Sequence, residues 1–330
     1  VCSHGIYIPR GQDGIIYHSP DFGETWEIID APAQFARDIW AYEDKLYLNG
    51  GGQLFQSDTN GENWTPIFSS SVGAVLAKGD NIVVVSGSTF SYSHDNGQTW
   101  GSHQVQEINS RENFVLIGDK LYGNLGKTLL ISEDFGTTIS EIPYESPYTY
   151  PYYIAKGGDY PLMSTYNKGV IRFNEITGEF ELANSGLNSA AIYHLEANEE
   201  KIWVGTGTKV FGYDKQDQTW TEATDLSIAE HQYSQLAIGN NGIIAASNLY
   251  EYDKFYLSKD HGAIWETIEI DAAPWSIISI DRIEIIDSTI LVFSEFDGWV
   301  GSNDLGENWE QINGPSYGNI VKYDGKLFAT

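Results

Sequence analysis

The chain has 330 residues, of which 41% are hydrophobic and 14% aromatic, and this composition excludes a wholly disordered protein. Its 46 acidic residues against 18 Lys and Arg give a formal net charge of −28, which repels phosphate groups, so nucleic acid is not expected as a partner. No apolar run reaches the roughly 18 residues that a transmembrane helix requires, and the single cysteine, Cys2, excludes an intrachain disulfide.

An octapeptide recurs along the whole chain, with Ser-His-Asp-Asn-Gly-Gln-Thr-Trp at 93–100 as an example. The six clear copies occupy 19–26, 57–64, 93–100, 132–139, 258–265 and 302–309. Two more divergent copies occupy 173–180 and 213–220. The last residues of successive copies are 36 to 45 residues apart, a regular period that indicates a repeat architecture.

Each octapeptide predicts a tight hairpin turn between two strands. The Ser and Asp side chains can bond to nearby backbone groups, and the glycine supplies a position with positive φ. The final tryptophan begins the next strand and anchors it against a neighbouring sheet. A motif present in every repeat serves the repeat, so we expect structural rather than catalytic roles. The residues assigned to this role are Asp21, Asp58, Asp95, Asp134, Asp260, Asp304, Trp26, Trp64, Trp100, Trp265 and Trp309.

Four short strands are predicted in each repeat. Between the third and fourth octapeptides, 113–117 reads as a strand, 118–119 as a turn, and a second strand starts at Lys120. A third strand at 128–131 leads into the octapeptide, and 138–142 forms the fourth. Similar runs appear at 38–48, 82–85, 192–204, 236–245 and 283–292. Four strands in about 40 residues are typical of one propeller blade.

These octapeptides resemble those of the Asp-box, or BNR-repeat, propellers, and the resemblance covers essentially the whole chain. Sialidases, xyloglucanases, sortilin ectodomains and photosystem assembly factors share that architecture. The resemblance implies an all-β fold in which residues 1–330 form a single β-propeller domain. It implies less about function, because the family contains both enzymes and non-enzymes.

Eight blades are predicted, with the last one built from both ends of the chain. Seven complete repeats lie between Trp26 and Trp309, and the two strands at 318–323 and 326–330 would complete the strands at 15–29. Such a closure removes exposed edge strands. The segment 5–8 also reads as a strand and would be in excess, so seven blades or an unclosed fragment remain alternatives.

The sequence does not support sialidase chemistry. Sialidases resembling this chain grip the substrate carboxylate with three arginines, the first in an Arg-Ile-Pro motif, and use a Tyr–Glu pair and an Asp. Here the nearest string is Tyr-Ile-Pro-Arg at 7–10, in the wrong order. The other arginines, which match no motif, are Arg37, Arg111, Arg172 and Arg282. A glycoside hydrolase for neutral polysaccharide needs only two spaced carboxylates and stays open as the alternative function.

Metal and cofactor sites are not predicted. The seven histidines are scattered, and His94 and His261 occupy variable positions of octapeptides. No glycine-rich phosphate-binding loop is present. Calcium binding stays open, because acidic residues are too numerous to mark a site.

The segment 143–153 is the strongest candidate for recognition, with five tyrosines and three prolines. It connects a fourth strand to the next first strand, on the face opposite the octapeptides. Tyrosine provides contact area at a low entropic cost, and a tryptophan in the loop 271–275 offers a similar surface. The residues predicted to bind a partner are Tyr144, Tyr148, Tyr150 and Trp275. Tyr152 and Tyr153, next to the following strand, are expected to pack against the next blade.

We interpret the chain as a non-catalytic binding or scaffold propeller for a protein or glycan partner, as part of a larger surface assembly. The acidic charge fits solubility in a salty or extracellular medium, and we expect an extracellular, periplasmic or cell-surface location in a bacterium. The chain begins at Val1 rather than Met, which indicates a processed form or a fragment. A cysteine beside a new N-terminus, such as Cys2, suggests a lipid-anchored protein. Lipid-anchor sites usually have a small residue before the cysteine, and Val1 fits this pattern poorly.

Overall fold

The structure is a computed structural model. It describes residues 6–10, 14–20, 25–105, 114–144, 151–197, 201–206, 209–223, 233–239, 242–248, 254–270, 280–286, 288–294, 298–311, 320–323 and 326–329. Within these ranges the chain forms 33 β-strands and no α-helix. No helix that could cross a membrane is therefore found in the described part of the chain.

Seven sheets each contain four strands that follow one another in the chain, paired antiparallel. The first sheet comprises β4 (Asp38–Tyr42), β5 (Lys45–Gly50), β6 (Gln53–Ser57) and β7 (Thr65–Phe68). The second comprises β8 (Ala74–Lys78), β9 (Asn81–Ser86), β10 (Thr89–Ser93) and β11 (Gly101–Gln104). The third comprises β12 (Phe114–Ile117), β13 (Lys120–Asn124), β14 (Thr128–Ser132) and β15 (Ser140–Pro143). The next two comprise β16 (Ile154–Lys156), β17 (Pro161–Thr165), β18 (Gly169–Asn174) and β19 (Glu179–Leu182); and β20 (Ile192–Ala197), β21 (Ile202–Thr206), β22 (Val210–Asp214) and β23 (Thr219–Glu222). The last two comprise β24 (Tyr233–Ile238), β25 (Ile244–Asn248), β26 (Lys254–Ser258) and β27 (Glu266–Glu269); and β28 (Arg282–Ile286), β29 (Thr289–Ser294), β30 (Gly298–Ser302) and β31 (Glu310–Gln311).

The eighth sheet joins the two ends of the chain, as predicted. Its strands are β1 (Ile6–Arg10), β2 (Ile15–Ser19), β3 (Glu27–Asp30), β32 (Ile320–Tyr323) and β33 (Lys326–Ala329), in the order β3-β2-β1-β33-β32. The strand in excess at 5–8 is β1, which pairs in parallel with β33 at Tyr7 and Phe328. The sheet therefore has five strands, and the count of eight sheets agrees with the prediction rather than with the alternative of seven.

The sheets are arranged around an axis. First strands of neighbouring sheets contact one another, as β16 does with β20 and β20 with β24, so the first strand is the inner one. The eighth sheet closes the ring, because β33 contacts both β28 and β4. Fourth strands lie outside, and three of the four residues of β15 are accordingly exposed.

The hydrophobic core lies between adjacent sheets. Phe90 on β10 shares one buried cluster with Leu121 on β13 and Leu130 on β14, in the next sheet. A sheet covered on both faces needs apolar residues at consecutive positions rather than alternate ones. β9 meets this need with four consecutive buried residues, 82–85.

The antiparallel order places the turns on two opposite faces. The octapeptide face contains the turns between third and fourth strands, such as 93–100, and those between first and second strands. The loop face contains the turns between second and third strands, such as 166–168, and the connections to the next sheet, such as 183–191. The described ends of the segment 143–153, residues 143–144 and 151–153, therefore belong to the loop face, and residues 145–150 lie outside the described residues.

Candidate functional site

The octapeptide turns use their aspartates internally. Asp95 Oδ1 accepts hydrogen bonds from the Thr99 backbone N–H and from Ser93 Oγ, both at 2.8 Å. Asp95 Oδ2 accepts one from Thr99 Oγ1 at 2.5 Å. The bonds from Thr99 and Ser93 lower the pKa of Asp95 to about 2, because they stabilise the ionised carboxylate. Both oxygens are thus engaged within the turn.

Three further octapeptides repeat this geometry at Asp134, Asp260 and Asp304. In the last one, the side-chain and backbone N–H groups of Asn308 lower the pKa of Asp304 to about 2. Asp21 lies outside the described residues, so its predicted role stays a prediction. Carboxylates held in this way close the turns and offer no ready acid or base to a ligand on the opposite face.

Gly97, the glycine of the third octapeptide, meets two requirements at once. Gly97 has φ +83°, which a residue with a side chain adopts at a cost. A Cβ atom added to Gly97 would also lie 2.9 Å from Cβ of Ile67 on the fourth strand of the preceding sheet. The turn therefore needs glycine both for its own conformation and for its close packing against the neighbouring sheet.

The second octapeptide corrects one sequence-based assignment. Thr59, not Asp58, accepts the closing hydrogen bond, which its Oγ1 receives from the Asn63 backbone N–H at 2.9 Å. Ser57 Oγ accepts from the N–H groups of Thr59 and Gly61, as Ser93 does in the third octapeptide. Asp58 precedes the closing position by one residue and is exposed. Threonine thus replaces aspartate in this turn.

The terminal tryptophans lie at sheet boundaries. Trp100 Nε1 donates to the Ile67 carbonyl oxygen of the preceding sheet at 2.8 Å, and its ring meets Phe68 edge-on at 4.8 Å. Trp265 Nε1 donates to the Gly262 carbonyl oxygen at 3.1 Å. The remaining three are Trp26, Trp64 and Trp309, each partly exposed.

Tyr144 is a core residue and not a surface residue, contrary to the sequence-based prediction. Its side chain is only 8% exposed and packs against Phe180 at 4.9 Å between ring centroids. Its hydroxyl donates to Asn124 Oδ1 at 3.1 Å, and burial raises its pKa. The ring fills the space between two sheets, so it has no surface to offer a partner. The other predicted binding residues, Tyr148, Tyr150 and Trp275, lie outside the described residues.

Tyr152 and Tyr153 are partly exposed, with side chains 51% and 36% exposed. The Tyr153 ring lies 5.5 Å from His194 on β20, so it packs against the next sheet as expected, whereas Tyr152 is more exposed than expected. The Tyr152 N–H donates to the Ser164 carbonyl oxygen, and the Ser164 N–H donates to the Tyr153 carbonyl oxygen, each at 3.0 Å. The pairing of β16 with β17 thus extends to the residues just before β16.

Two more exposed tyrosines lie at the same boundary between sheets. Tyr166, in the turn between β17 and β18, is 57% exposed, and Tyr193 on β20 is 37% exposed. Their rings meet edge to face, with centroids 6.2 Å apart and planes at 89°. We call Tyr152, Tyr153, Tyr166 and Tyr193 the aromatic patch. Sequence reasoning missed Tyr166 and Tyr193, for which the only sequence signal was a position next to a loop-face turn.

Hydrogen bonds hold the patch in place. The Lys168 N–H donates to Thr165 Oγ1 at 3.0 Å, which in turn donates to the Gly169 carbonyl oxygen at 2.9 Å. The Gly169 N–H donates to the Ala190 carbonyl oxygen at 2.7 Å. The turn that carries Tyr166 is thereby joined to the connection that leads to Tyr193, so the two rings are positioned before any ligand arrives.

A tyrosine–glutamate pair exists elsewhere, on the octapeptide face. The Tyr122 hydroxyl donates to Glu175 Oε1 of the next sheet, and Lys120 Nζ contacts Glu175 Oε2 at 2.6 Å and Glu133 at 2.9 Å. Tyr122 is buried, and burial followed by the bond to Glu175 raises its pKa, the opposite of what a tyrosine nucleophile requires. The group therefore joins two sheets.

Two of the described arginines form ion pairs. Arg172 Nη2 bonds to Glu181 at 2.8 Å, and Arg282 Nε bonds to Glu284 at 2.8 Å. His194, beside the patch, lies 5.5 Å from the Tyr153 ring, with Nε2 3.8 Å from Glu196 Oε2. Among the described residues, no group of three or more His, Cys, Asp or Glu side chains could hold a metal ion.

Comparison with solved structures finds proteins of the same architecture. The extracellular domain of the hybrid two-component system BT4673 from B. thetaiotaomicron matches with a TM-score of 0.55 and 15% identity, over 81% of this chain and 38% of that chain. BamB from Moraxella catarrhalis matches with a TM-score of 0.57 and 14% identity, over 90% and 95%. The chain is an eight-bladed β-propeller.

A third propeller, YCF48 bound to D1 peptide, matches with a TM-score of 0.52 and 13% identity, over 78% of this chain and 88% of that chain. At these identities the likeness concerns the fold. The propeller described here spans 38% of the length of the BT4673 domain. No family model and no curated protein sequence matches the chain.

Proposed function

We propose that the chain is a non-catalytic binding or scaffold propeller of the Asp-box family, formed as one domain by residues 1–330 and exported to a bacterial surface. Its partner, a protein or a glycan, docks on the loop face. The aromatic patch is the observation that carries this proposal. Four exposed tyrosines lie on two adjoining sheets, where the Tyr166 and Tyr193 rings meet and the Tyr153 ring lies 5.5 Å from His194, the residue after Tyr193.

The patch has the properties of a recognition surface. Tyrosine is enriched where partners bind, because its ring gives a large contact area and its two χ angles lose little entropy. The edge-to-face pair of Tyr166 and Tyr193 is held by backbone hydrogen bonds through Gly169 and Ala190. A positioned surface binds more tightly than a mobile one of equal area, since less freedom is lost on association.

The similar structures support this reading by analogy. One is an extracellular domain, and another is a propeller bound to a peptide. Virginiamycin B lyase from Staphylococcus aureus is also similar, with a TM-score of 0.54, so the fold hosts catalysis as well. The proposal of a non-catalytic role therefore depends on this chain's own residues, whose described octapeptide aspartates and Tyr122–Glu175 pair are engaged structurally.

Affinity capture from the native source tests the proposal. The intact chain and the variant Tyr152→Ala/Tyr166→Ala/Tyr193→Ala serve as baits. The matched control is Ile28→Ala/Ile264→Ala, which removes two exposed apolar side chains from other parts of the surface. We expect the intact chain and the control to retain the same partner and the patch variant to lose it. Equal capture by all three would contradict the assignment to the patch.

The alternative of a glycoside hydrolase has its own measurement. Incubation of the intact chain with neutral polysaccharides, followed by a reducing-end assay, is expected to show no release of new ends. Release that persists in repeated preparations would overturn the non-catalytic role.

A further inference from the structure

We infer that the aromatic patch binds a neutral polysaccharide, whose sugar rings stack on the tyrosines. This inference rests on the proposed function and names the class of its partner. It depends on the shape of the patch, on the residues at its border and on the charge of the chain.

The shape of the patch suits a pyranose ring. Tyr166 and Tyr193 are perpendicular, with planes at 89° and centroids 6.2 Å apart, and so form an open corner. One ring can cover the apolar face of a sugar, while the other contacts its edge. Aromatic rings offer flat apolar faces of this size together with a polar hydroxyl at one end.

The patch continues beyond one sugar ring. Tyr153 pairs through its backbone with Ser164, two residues before Tyr166, so Tyr152 and Tyr153 lie next to the strand that leads to the corner. The Tyr153 ring lies 5.5 Å from His194, the residue after Tyr193, so the patch continues from the corner towards the residues before β16. A surface of this extent fits a chain of sugars better than a single one.

The residues that border the Tyr166–Tyr193 corner are polar and uncharged, with one lysine, whereas Glu196 lies on the Tyr153 side, 3.8 Å from His194. The two segments that border the corner, 166–168 and 183–191, contain no Asp or Glu. They expose Asn167, Ser185 and Asn188, whose amides and hydroxyl can both donate and accept hydrogen bonds. Sugar hydroxyls need partners of this kind, whereas a lysine- or arginine-rich peptide would need carboxylates at the border.

The net charge of the chain favours a neutral polysaccharide over an acidic one. At −28 the chain repels polyanions, so an acidic polysaccharide would approach against the field of the whole molecule. A neutral polysaccharide experiences no such repulsion. The binding should then change little with ionic strength, unlike that of a charged partner.

Affinity electrophoresis tests the inference with defined probes. Native gels contain a neutral β-glucan, mannan or xylan, and a matched gel contains polygalacturonate. We expect retardation by at least one neutral polysaccharide and none by polygalacturonate. Tyr166→Ala and Tyr193→Ala should each weaken the retardation about tenfold, whereas Tyr166→Phe, which keeps the ring, should stay within about threefold.

The outcomes separate this inference from the proposed function. Retardation that is unchanged in Tyr166→Ala and Tyr193→Ala would overturn the assignment of sugar binding to the patch. Capture of a protein that depends on the patch, with no retardation by any neutral polysaccharide, would overturn this inference and leave the proposed function standing. Absence of both would overturn the two together. The tyrosines are exposed, so unchanged thermal midpoints of the variants confirm that they fold.

Discussion

Thr59 and Asn63 close their turn by a hydrogen bond of 2.9 Å from the Asn63 N–H to Thr59 Oγ1, where other octapeptides use an aspartate. Asp304 makes the equivalent bond to the Asn308 N–H and a second one to the Asn308 side-chain amide. The position that follows Asp58 is therefore the one that determines the stability of the turn.

Substitutions of Thr59 should change the stability of the fold, whereas substitution of Asp58 should not. We expect Thr59→Ala to lower the free energy of unfolding by about 1 kcal/mol, because the closing hydrogen bond is lost. Thr59→Asp should raise the urea midpoint, since a carboxylate there can also accept from the Asn63 side chain. Asp58→Ala is the control and should unfold like the parent chain. An equal loss in Asp58→Ala and Thr59→Ala would contradict the corrected assignment.

Glycine at the fifth octapeptide position should be needed for packing as well as for conformation. Gly97 and Gly52 have similar φ values, +83° and +78°, but only Gly97 faces a neighbour, Ile67. Gly52→Ala should cost about 1–2 kcal/mol for the left-handed conformation. Gly97→Ala should cost about 1–3 kcal/mol more, because the added methyl meets Ile67. Urea denaturation measures both, and equal costs would refute the packing argument.

Two equivalent tyrosines should respond differently to loss of the hydroxyl. Tyr47 and Tyr122 each follow a Lys-Leu pair at the start of a second strand. The Tyr122 hydroxyl bonds to Glu175, whereas the Tyr47 hydroxyl is buried without a hydrogen-bond partner. Tyr122→Phe should destabilise the chain by about 1–2 kcal/mol, and Tyr47→Phe should be neutral or stabilising. Thermal or chemical unfolding measures the stability of the two variants. Equal losses of stability in both would contradict this prediction.

Asp95 should contribute to the loss of stability in acid. Its pKa is lowered to about 2 in the folded chain by the bonds from Thr99 and Ser93, against about 3.9 for a free aspartate. A lowered pKa means that the ionised form stabilises the fold above about pH 4 and that this contribution is lost as the pH falls towards 2. Asp95→Asn should therefore unfold at lower urea than the parent at pH 7, and the difference should shrink towards pH 2. A difference that does not change with pH would rule out this linkage.

The repeat and its turns could be predicted from the sequence because their determinants are local. The hydrogen bonds of an octapeptide span four residues, as from Ser93 to Gly97, and the positive φ of its glycine belongs to one residue. Strand type likewise follows from short apolar runs such as 82–85. The spacing of the copies favoured eight sheets with both ends joined, and the pairing of β1 with β33 resolved the strand that was in excess.

The candidate site could not be predicted in the same way, because exposure depends on what the neighbouring sheet covers. Tyr144 and Tyr152 lie in one tyrosine-rich segment, yet Phe180 and Asn124 bury the first to 8% exposure whereas the second is 51% exposed. Tyr166 and Tyr193 are 27 residues apart and meet only because two sheets adjoin. The sequence by itself determined the repeating turns and the strands, and it favoured eight sheets over seven. Only the tertiary structure decided which tyrosines face solvent together, since packing between sheets joins residues that no local pattern relates.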